Sequence, residues 1–457
     1  MTNTPTYRPE LLRAERERRE WSKTRLIYAL RQAAAEEHRT IPADETLKRN
    51  IARWENGHAY PTEYVSYLVK AYGKPAHMLG LGDPPSGTEL PSVAYPATAD
   101  DSVDEISRLW RADLHDSGEL LSATPDLSAW QSAPFAWLVA PSGVVLPQPR
   151  ERTEVGMSDV EAIRATVDMF VDMDNRFGGG HGRRALVQYL DSDVRELLNA
   201  RSTEHVGRAL FATVAEGTLL AAWMSYDSGH HGLAQRYFVQ ALRLAQTADD
   251  RRLAGSILSA MSHQATFLGR YAEAANLARA ALLGTQRHGT ATMSAQFHAM
   301  EARALARLGD DAGCSAALSA AMSTFDRHNP GEDPEFIGYF DEAELSAEFG
   351  HCFRDLSQAG QATSYAELCL GGTDGKYVRS DFFATMVLAD SLLDRGEPEQ
   401  ACRAAMEALD LGRQLKSARC VAYLNEFRAR LDRFDGNAAV AEFLDQAQTH
   451  RLWQHSA

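Results

Sequence analysis

Past Met157 the apolar residues recur at helical spacing, and proline almost never interrupts them. Helix interiors exclude proline, which lacks an N–H and clashes with the preceding turn. Only Pro330, Pro334 and Pro398 lie beyond Met157, so the pattern predicts nearly continuous helix from 157 to 457. Within it Gly229, Gly269, Gly309, Gly360 and Gly396 each follow an apolar stretch and precede an alanine-rich one, at intervals of 40, 40, 51 and 36 residues. Self-similarity at such a period is the mark of a solenoid of stacked helix pairs. The longest interval holds Asn329-Pro330-Gly331-Glu332-Asp333-Pro334, a loop insertion that accounts for its excess.

Small residues keep fixed offsets from these glycines, as close helix–helix approach requires. Ala222, Ser262, Ala302 and Ala389 lie seven before, Ala234, Ala274, Cys314 and Ala401 five after, and Ala241, Ala281, Ala321 and Ala408 twelve after. The Gly360 unit departs, with Phe353, Tyr365 and Gly372 at those places, and reads as degenerate or misassigned. Residues 158–200 supply further helices that begin the stack.

The head of the chain has a different rhythm. Short helices are expected over Pro9–Glu20, Ser22–Ala35 with Ser22 as N-cap, Leu47–Glu55 ended by Asn56-Gly57, Pro61–Tyr72 ended by Gly73, and Pro75–Leu81. Between head and repeats, nine of the 17 prolines fall between Asp83 and Pro149. That zone reads as a Pro-rich linker with local structure: a short helix over Val103–His115, with Ile106, Leu109 and Trp110 on one face, and short strands within Trp130–Leu146. The fold class is therefore all-α, divided into a head (1–82), a linker (83–156) and a helical repeat region (157–457).

Charge adds a partner argument. Residues 1–82 hold 14 Lys and Arg against 10 Asp and Glu, while the rest of the chain holds 33 against 52, within a net charge of −15. A basic head on an acidic body suits a phosphate partner for the head alone. The five cysteines are scattered and none sits in a CxxC pair, which argues against a disulfide scaffold or a zinc ribbon. Met1–Glu20 lacks the apolar run that export needs. The uncharged stretch Leu127–Pro149 is 23 residues long, but four prolines interrupt it, so no membrane helix is expected. No catalytic constellation, metal-ligand spacing or cofactor motif is found. The run Gly178-Gly179-Gly180-His181 reads as an interhelical turn rather than a phosphate loop, because no Walker lysine pattern or preceding strand accompanies it.

The segment LKRNIARWENG at 47–57, followed by Tyr60-Pro61, resembles the recognition helix and exit of the Cro/C1-type (XRE) helix-turn-helix family, over residues 8–81. The resemblance implies that Arg16 pairs with Glu55 and that Lys23 meets a phosphate from the start of the second helix. It also implies that Lys48, Arg49, Asn50 and Arg53 face the DNA groove. The chemistry agrees, since Arg and Lys can donate to guanine O6 and N7 and Asn can bridge adenine N6 and N7. Leu47, Ile51 and Trp54 face the interior. The family joins its second and third helices tightly, whereas residues 36–44 intervene here, and Asp44, Glu45 and Thr46 are candidate caps.

The glycine and alanine spacing over 216–430 resembles the tetratricopeptide repeat, with longer helices. The family's groove positions fall on Glu216, Trp223, Tyr226, Ser259, His263, Gln296, Arg303, Arg354 and Asp390. These imply a surface for a peptide or small-molecule effector, with Arg303 or Arg354 taking a carboxylate. Ordinary solvated or inter-repeat contacts are the alternative for each of them. Together the two resemblances imply a non-enzymatic, cytoplasmic, nucleoid-associated homodimeric transcriptional regulator of the actinobacterial XRE–tetratricopeptide type, with double-stranded DNA as partner and no cofactor or metal. The alternative is an interaction scaffold with weak or no DNA binding.

Overall fold

Among the residues that the computed structural model describes (7–19, 21–36, 39, 41–74, 76–81, 90–115, 118–140, 146–151, 153–373 and 375–456), regular structure is helical apart from two isolated bridges, Tyr7 with Leu81 and Glu154 with Arg201. The chain is all-α. It divides into two units, 1–89 and 90–457.

The first unit holds α1 (Pro9–Arg18), α2 (Lys23–Glu36), α3 (Asp44–Glu55) and α4 (Val65–Tyr72), with 3-10 turns at Thr62–Tyr64 and Ala76–Leu79. Ser22 caps α2 by accepting from the Arg25 N–H at 3.1 Å. Gly73, at φ +57°, ends α4. Leu12, Leu26, Leu30, Leu47, Ile51, Leu68 and Tyr72 fill one small core. The third helix starts three residues earlier than the sequence suggested. Asp44, Glu45 and Thr46 form its first turn, where two carboxylates suit the helix dipole. Of the intervening segment, residues 37, 38 and 40 lie outside the described ones.

The second unit begins with α5 (Ala99–Leu114), α6 (Gly118–Leu121) and α7 (Ala129–Val139). The linker expectation is corrected here: Ile106, Leu109, Trp110, Trp130 and Trp137 are buried in the main core of this unit. Of the strands expected within Trp130–Leu146, the part up to Val139 is instead helical, in α7, which carries Pro134 in its interior. A proline there costs about 3 kcal/mol, and burial of two tryptophans outweighs it at about 1.5–3 kcal/mol or more for each large side chain. Residues 83–89 and 141–145 lie outside the described ones.

After α8 (Met157–Phe177) and α9 (Gly179–Tyr189) come antiparallel pairs: α10 (Glu204–Asp227) with α11 (His231–Thr247), α12 (Arg251–Phe267) with α13 (Tyr271–Thr285), α14 (Ala291–Leu308) with α15 (Asp311–Phe325), α16 (Glu342–Asp355) with α17 (Ala359–Gly372), and α18 (Val378–Asp394) with α19 (Pro398–Leu411). The chain ends with α20 (Ala418–Leu431), α21 (Ala438–Ala447) and α22 (Arg451–His455). First helices pack side by side from α10 to α20. The residues at all twelve small-residue offsets are buried.

Each turn within a pair repeats one backbone motif. At Gly229, Gly269, Gly309 and Gly396 the residue has positive φ, and its own N–H and that of the next residue reach back to close the first helix. In the fourth pair that place belongs to Ser357 (φ +59°), whose N–H bonds Arg354 O at 3.0 Å while the Gln358 N–H bonds Phe353 O at 2.8 Å. Gly360 instead lies inside α17. Counting from Ser357 restores the small-residue pattern, with Gly350, Ala362 and Cys369 buried at the three offsets.

The helical face of the first unit and the inner face of the second

In the first unit α3 presents two opposite faces. Leu47, Ile51 and Trp54 are buried. On the other side Arg49 and Arg53 are exposed, Lys48 and Asn50 are half-buried, and Arg49, Asn50 and Arg53 pair with no described residue. Lys48 Nζ lies 3.0 Å from Glu45 one turn earlier, an exposed pair that a stronger anion can displace. Lys23 is half-buried in the first turn of α2.

Several other basic residues of the unit are held by carboxylates. Arg16 grips buried Glu55 through two bonds of 2.5 and 3.0 Å and donates a third to Trp21 O at 2.9 Å. Glu15, buried on α1, gathers Arg18 and Arg19 at 2.8 Å and Lys74 at 2.9 Å. Bonds from Arg18, then Lys74 and Arg19, hold its carboxyl far below the ordinary range against the effect of burial. Arg31 pairs with Asp44 at 2.6 Å, tying α2 to the start of α3. On α3 itself, Arg49 and Arg53 are the cations without a described partner; elsewhere in the unit Lys23 and Arg25 also lack a carboxylate partner among the described residues. Sequence reasoning missed the Glu15 cluster, although Arg18 and Arg19 three and four residues on are its local trace.

In the second unit all nine groove candidates sit on first helices: Glu216, Trp223 and Tyr226 on α10, Ser259 and His263 on α12, Gln296 and Arg303 on α14, Arg354 on α16 and Asp390 on α18. They are mostly engaged with this chain. Glu216 accepts from Arg164 at 2.9 Å, and Tyr226 Oη lies 3.1 Å from His263 Nδ1. The Trp223 ring stands edge-on to His263 at 5.4 Å. Gln296 Nε2 donates to Tyr339 Oη. Ser259 is buried. Arg303 holds Glu348 at 2.7 Å, and Arg354 holds Asp355 at 2.9 Å and Asp390 at 3.4 Å. The capture of an incoming carboxylate by Arg303 or Arg354 therefore requires displacing a buried partner, a change that costs several kcal/mol at order of magnitude.

The inner face closes on itself through residues that the sequence did not single out. Arg379 of α18 reaches Asp174 of α8 at 2.8 Å and Asp227 of α10 at 3.4 Å. Ser417 donates to Asp227 at 2.8 Å, and the Lys416 N–H bonds Phe177 O at 2.9 Å. Arg419 of α20 lies over the rings of Tyr226 and Phe383 at 4.9 and 4.5 Å. Gly178 separates α8 from α9 and Gly179 and Gly180 open α9, where a side chain on Gly179 would run into Met224 O and one on Gly180 would crowd Lys416. Pairs some two hundred residues apart leave no periodic trace, which is why only this turn was visible beforehand.

Electrostatics follow from the enclosure. Burial, then Arg419 and Arg303, hold His263 neutral well below its ordinary range, and burial with Arg303 and Arg354 does the same to His351. Burial pushes the Asp390 carboxyl up to about 6 despite Arg354 and Arg430. Burial, then Glu348 and Asp341, pushes Glu344 up to about 8. Among the described residues no group of three or more His, Cys, Asp or Glu is placed to hold a metal ion, and no helix is long and apolar enough to cross a membrane. No protein-family model, curated protein or solved structure matches this chain.

Proposed function

We propose that the chain is a sequence-specific DNA-binding transcriptional regulator of the XRE–tetratricopeptide type. In this reading the first unit reads duplex DNA as a helix-turn-helix. The second unit dimerises and carries an effector site on its inner face. One observation carries the reading: Arg49, Asn50 and Arg53 stand without a described partner on the solvent face of a helix whose opposite face is locked into a core. A rigid helix with two free guanidiniums and an amide suits base edges in the major groove. Lys23 and Lys48 would meet the backbone, which positions the protein without reading sequence. Two copies would place their heads on half-sites about 34–36 Å apart. Such a protein works in the cytoplasm, at the nucleoid.

The test is selection from a randomised duplex library by the purified full chain at fixed, near-physiological salt, because phosphate binding varies steeply with salt. An enriched palindrome is expected, and its loss in the Lys48→Ala/Arg49→Ala/Arg53→Ala variant with unchanged helicity. A folded chain that enriches no sequence leaves the second unit as an interaction scaffold.

A further inference from the structure

Three guanidiniums of the inner face of the second unit hold carboxylates closely, and a fourth does not. Arg303 reaches Glu348 at 2.7 Å, Arg354 reaches Asp355 at 2.9 Å and Arg379 reaches Asp174 at 2.8 Å. Arg419, 7 % exposed on α20, has no carboxylate nearer than 3.9 Å among the described residues. That carboxylate, Asp227, lies toward Nη1 and is already engaged. It accepts from Ser417 Oγ at 2.8 Å and from the Gly179 N–H at 3.0 Å, and it pairs with Arg379 at 3.4 Å.

The other edge of Arg419, formed by Nε and Nη2, is the one with which this chain grips carboxylates elsewhere. Arg16 holds Glu55 with it, Arg18 holds Glu15 and Arg354 holds Asp355, each through both nitrogens at 2.5 to 3.1 Å. On Arg419 the buried Nε has no hydrogen-bond partner among the described residues. Its Nη2 has His263 Nε2 at 3.5 Å, the outer limit of bonding distance. The Tyr226 and Phe383 rings, with centroids 4.9 and 4.5 Å from the guanidinium carbon, contact the group without offering an acceptor to that edge.

The surroundings select the sign of what can sit there. After burial, the charges that bear most on His263 are Arg419, Arg303 and Arg379, all positive. The acids farther off are spent or neutral: Arg303 holds Glu348, Arg379 holds Asp174, and Glu344 is pushed up to about 8 by burial and then by Glu348 and Asp341. A cation is repelled from this edge. A neutral oxygen can accept from it, but a carboxylate meets both N–H groups at once through charge-assisted bonds about twice as strong. The Trp223 ring stands edge-on to His263 at 5.4 Å, and both residues are only half-buried, so the edge is bordered by an open aromatic wall. A flat apolar group on the ligand suits that wall.

We infer that the inner face of the second unit binds a small aromatic carboxylate, its two oxygens side-on to Nε and Nη2 of Arg419 and its ring beside Trp223 and His263. The inference rests on reading this face as the effector site. It moves the anion anchor from Arg303 and Arg354, which are already paired, to Arg419, which no sequence pattern singled out.

Calorimetric titration of the full chain at about pH 7.5, where a carboxylic acid is ionised, compares phenylacetate with the isosteric phenylacetamide and with 2-phenylethylammonium. Phenylacetate is expected to bind at one site per chain, at least about tenfold tighter than either of the others. Arg419→Lys keeps the charge but loses the two-pronged edge, and should weaken phenylacetate about tenfold. Arg419→Gln should weaken it further. Near-UV circular dichroism shows whether each variant keeps the wild-type packing, and the comparison of the three probes on the wild type stands without the variants. Amide or ammonium binding as tight as that of phenylacetate overturns the inference. So does a phenylacetate affinity unchanged in a folded Arg419→Gln, or no phenylacetate binding up to about 10 mM. The duplex selection is run on the same preparation. A chain that selects DNA but ignores phenylacetate loses this inference alone, and one that binds phenylacetate but selects no DNA loses the regulator reading alone.

Discussion

Arg16 Nε donates to Glu55 Oε1 at 2.5 Å while Nη2 donates to Oε2 at 3.0 Å, so a planar fork on α1 clasps the end of α3. The Glu55 side chain is 2 % exposed, which leaves an uncompensated buried charge if the partner is lost. Breaking such a pair costs about 3–5 kcal/mol. Arg16→Ala is therefore expected to raise hydrogen exchange of α1 and α3 amides sharply while leaving those of the second unit unchanged. Arg16→Lys should recover little, because an ammonium cannot reproduce the two-pronged geometry together with the bond to Trp21 O. Wild-type exchange in Arg16→Ala would remove this pair from the account of how α3 is held.

Under the proposed function, Lys23 and Arg49 predict different losses. Lys23 sits in the first turn of α2, a place for a phosphate, and Arg49 stands free on the outer face of α3. Lys23→Ala should weaken all duplexes alike and lower the salt slope by about 1. Arg49→Ala should relax the sequence preference at one position by about 1–3 kcal/mol. Affinity measured at several salt concentrations on the selected site and its single-base variants separates the two. If Lys23→Ala changed the preferred sequence, the assignment of phosphate and base contacts would be reversed.

Much of this architecture could be read before any coordinates, for a definable reason. The core face of α3, the Ser22 cap and the buried small residues around Gly229, Gly269, Gly309 and Gly396 all arise from local periodicity or spacing, whereas the Arg16–Glu55 pair was implied by the resemblance of the first unit to a helix-turn-helix family. The helical nature of α7 was missed because Pro134 carries a strong local signal against helix, while the burial of Trp130 and Trp137 that overrides it comes from distant helices. The fourth turn was misplaced because the left-handed position is filled by Ser357, and the nearby Gly360 drew the register three residues on. The closure of the inner face by Arg379, Ser417 and Arg419 depends on partners far along the chain. Of the groove candidates, position was legible; occupation of Arg303 and Arg354 by Glu348, Asp355 and Asp390 was not.

Ser357 offers a direct test of the corrected register. Its φ of +59° is costly for a residue with a Cβ, and the matching turn at Gly309 has nothing within 4 Å of where a side chain would begin. Ser357→Gly should stabilise the second unit by about 0.5–1 kcal/mol, and Gly309→Ser should destabilise it by a similar amount. Denaturant midpoints check both. Equal destabilisation by the two substitutions would mean that the Ser357 hydroxyl makes a compensating bond.

Gly284, near the end of α13, sets propensity against packing. In a helix interior Gly→Ala ordinarily gains about 1 kcal/mol. Here a new Cβ would fall 2.1 Å from atoms of the buried Trp137 ring on α7. Overpacking of this kind costs about 1–3 kcal/mol, so the net sign is reversed and Gly284→Ala should destabilise. In a Trp137→Leu background the same substitution should turn neutral or favourable. A Gly284→Ala effect independent of residue 137 would show that α7 does not bear on α13 as described.

Glu344 gives the second unit a pH dependence whose direction can be worked out. Its carboxyl stands at about 8 in the folded chain, for reasons of burial first and then of Glu348 and Asp341, against about 4.3 when unfolded. The folded state therefore binds more protons than the unfolded state between these values. Stability falls as pH rises through that window and is unaffected by this group below it. Glu344→Gln keeps the neutral form at every pH. It should match the wild type near pH 4 and exceed it near pH 8 by at least about 1 kcal/mol. Asp390, also held up, at about 6, contributes equally to both proteins, so the difference between them isolates Glu344. A gap between the two midpoints that stays constant from pH 4 to pH 8 would show that Glu344 ionises normally and that its surroundings already supply a counter-charge.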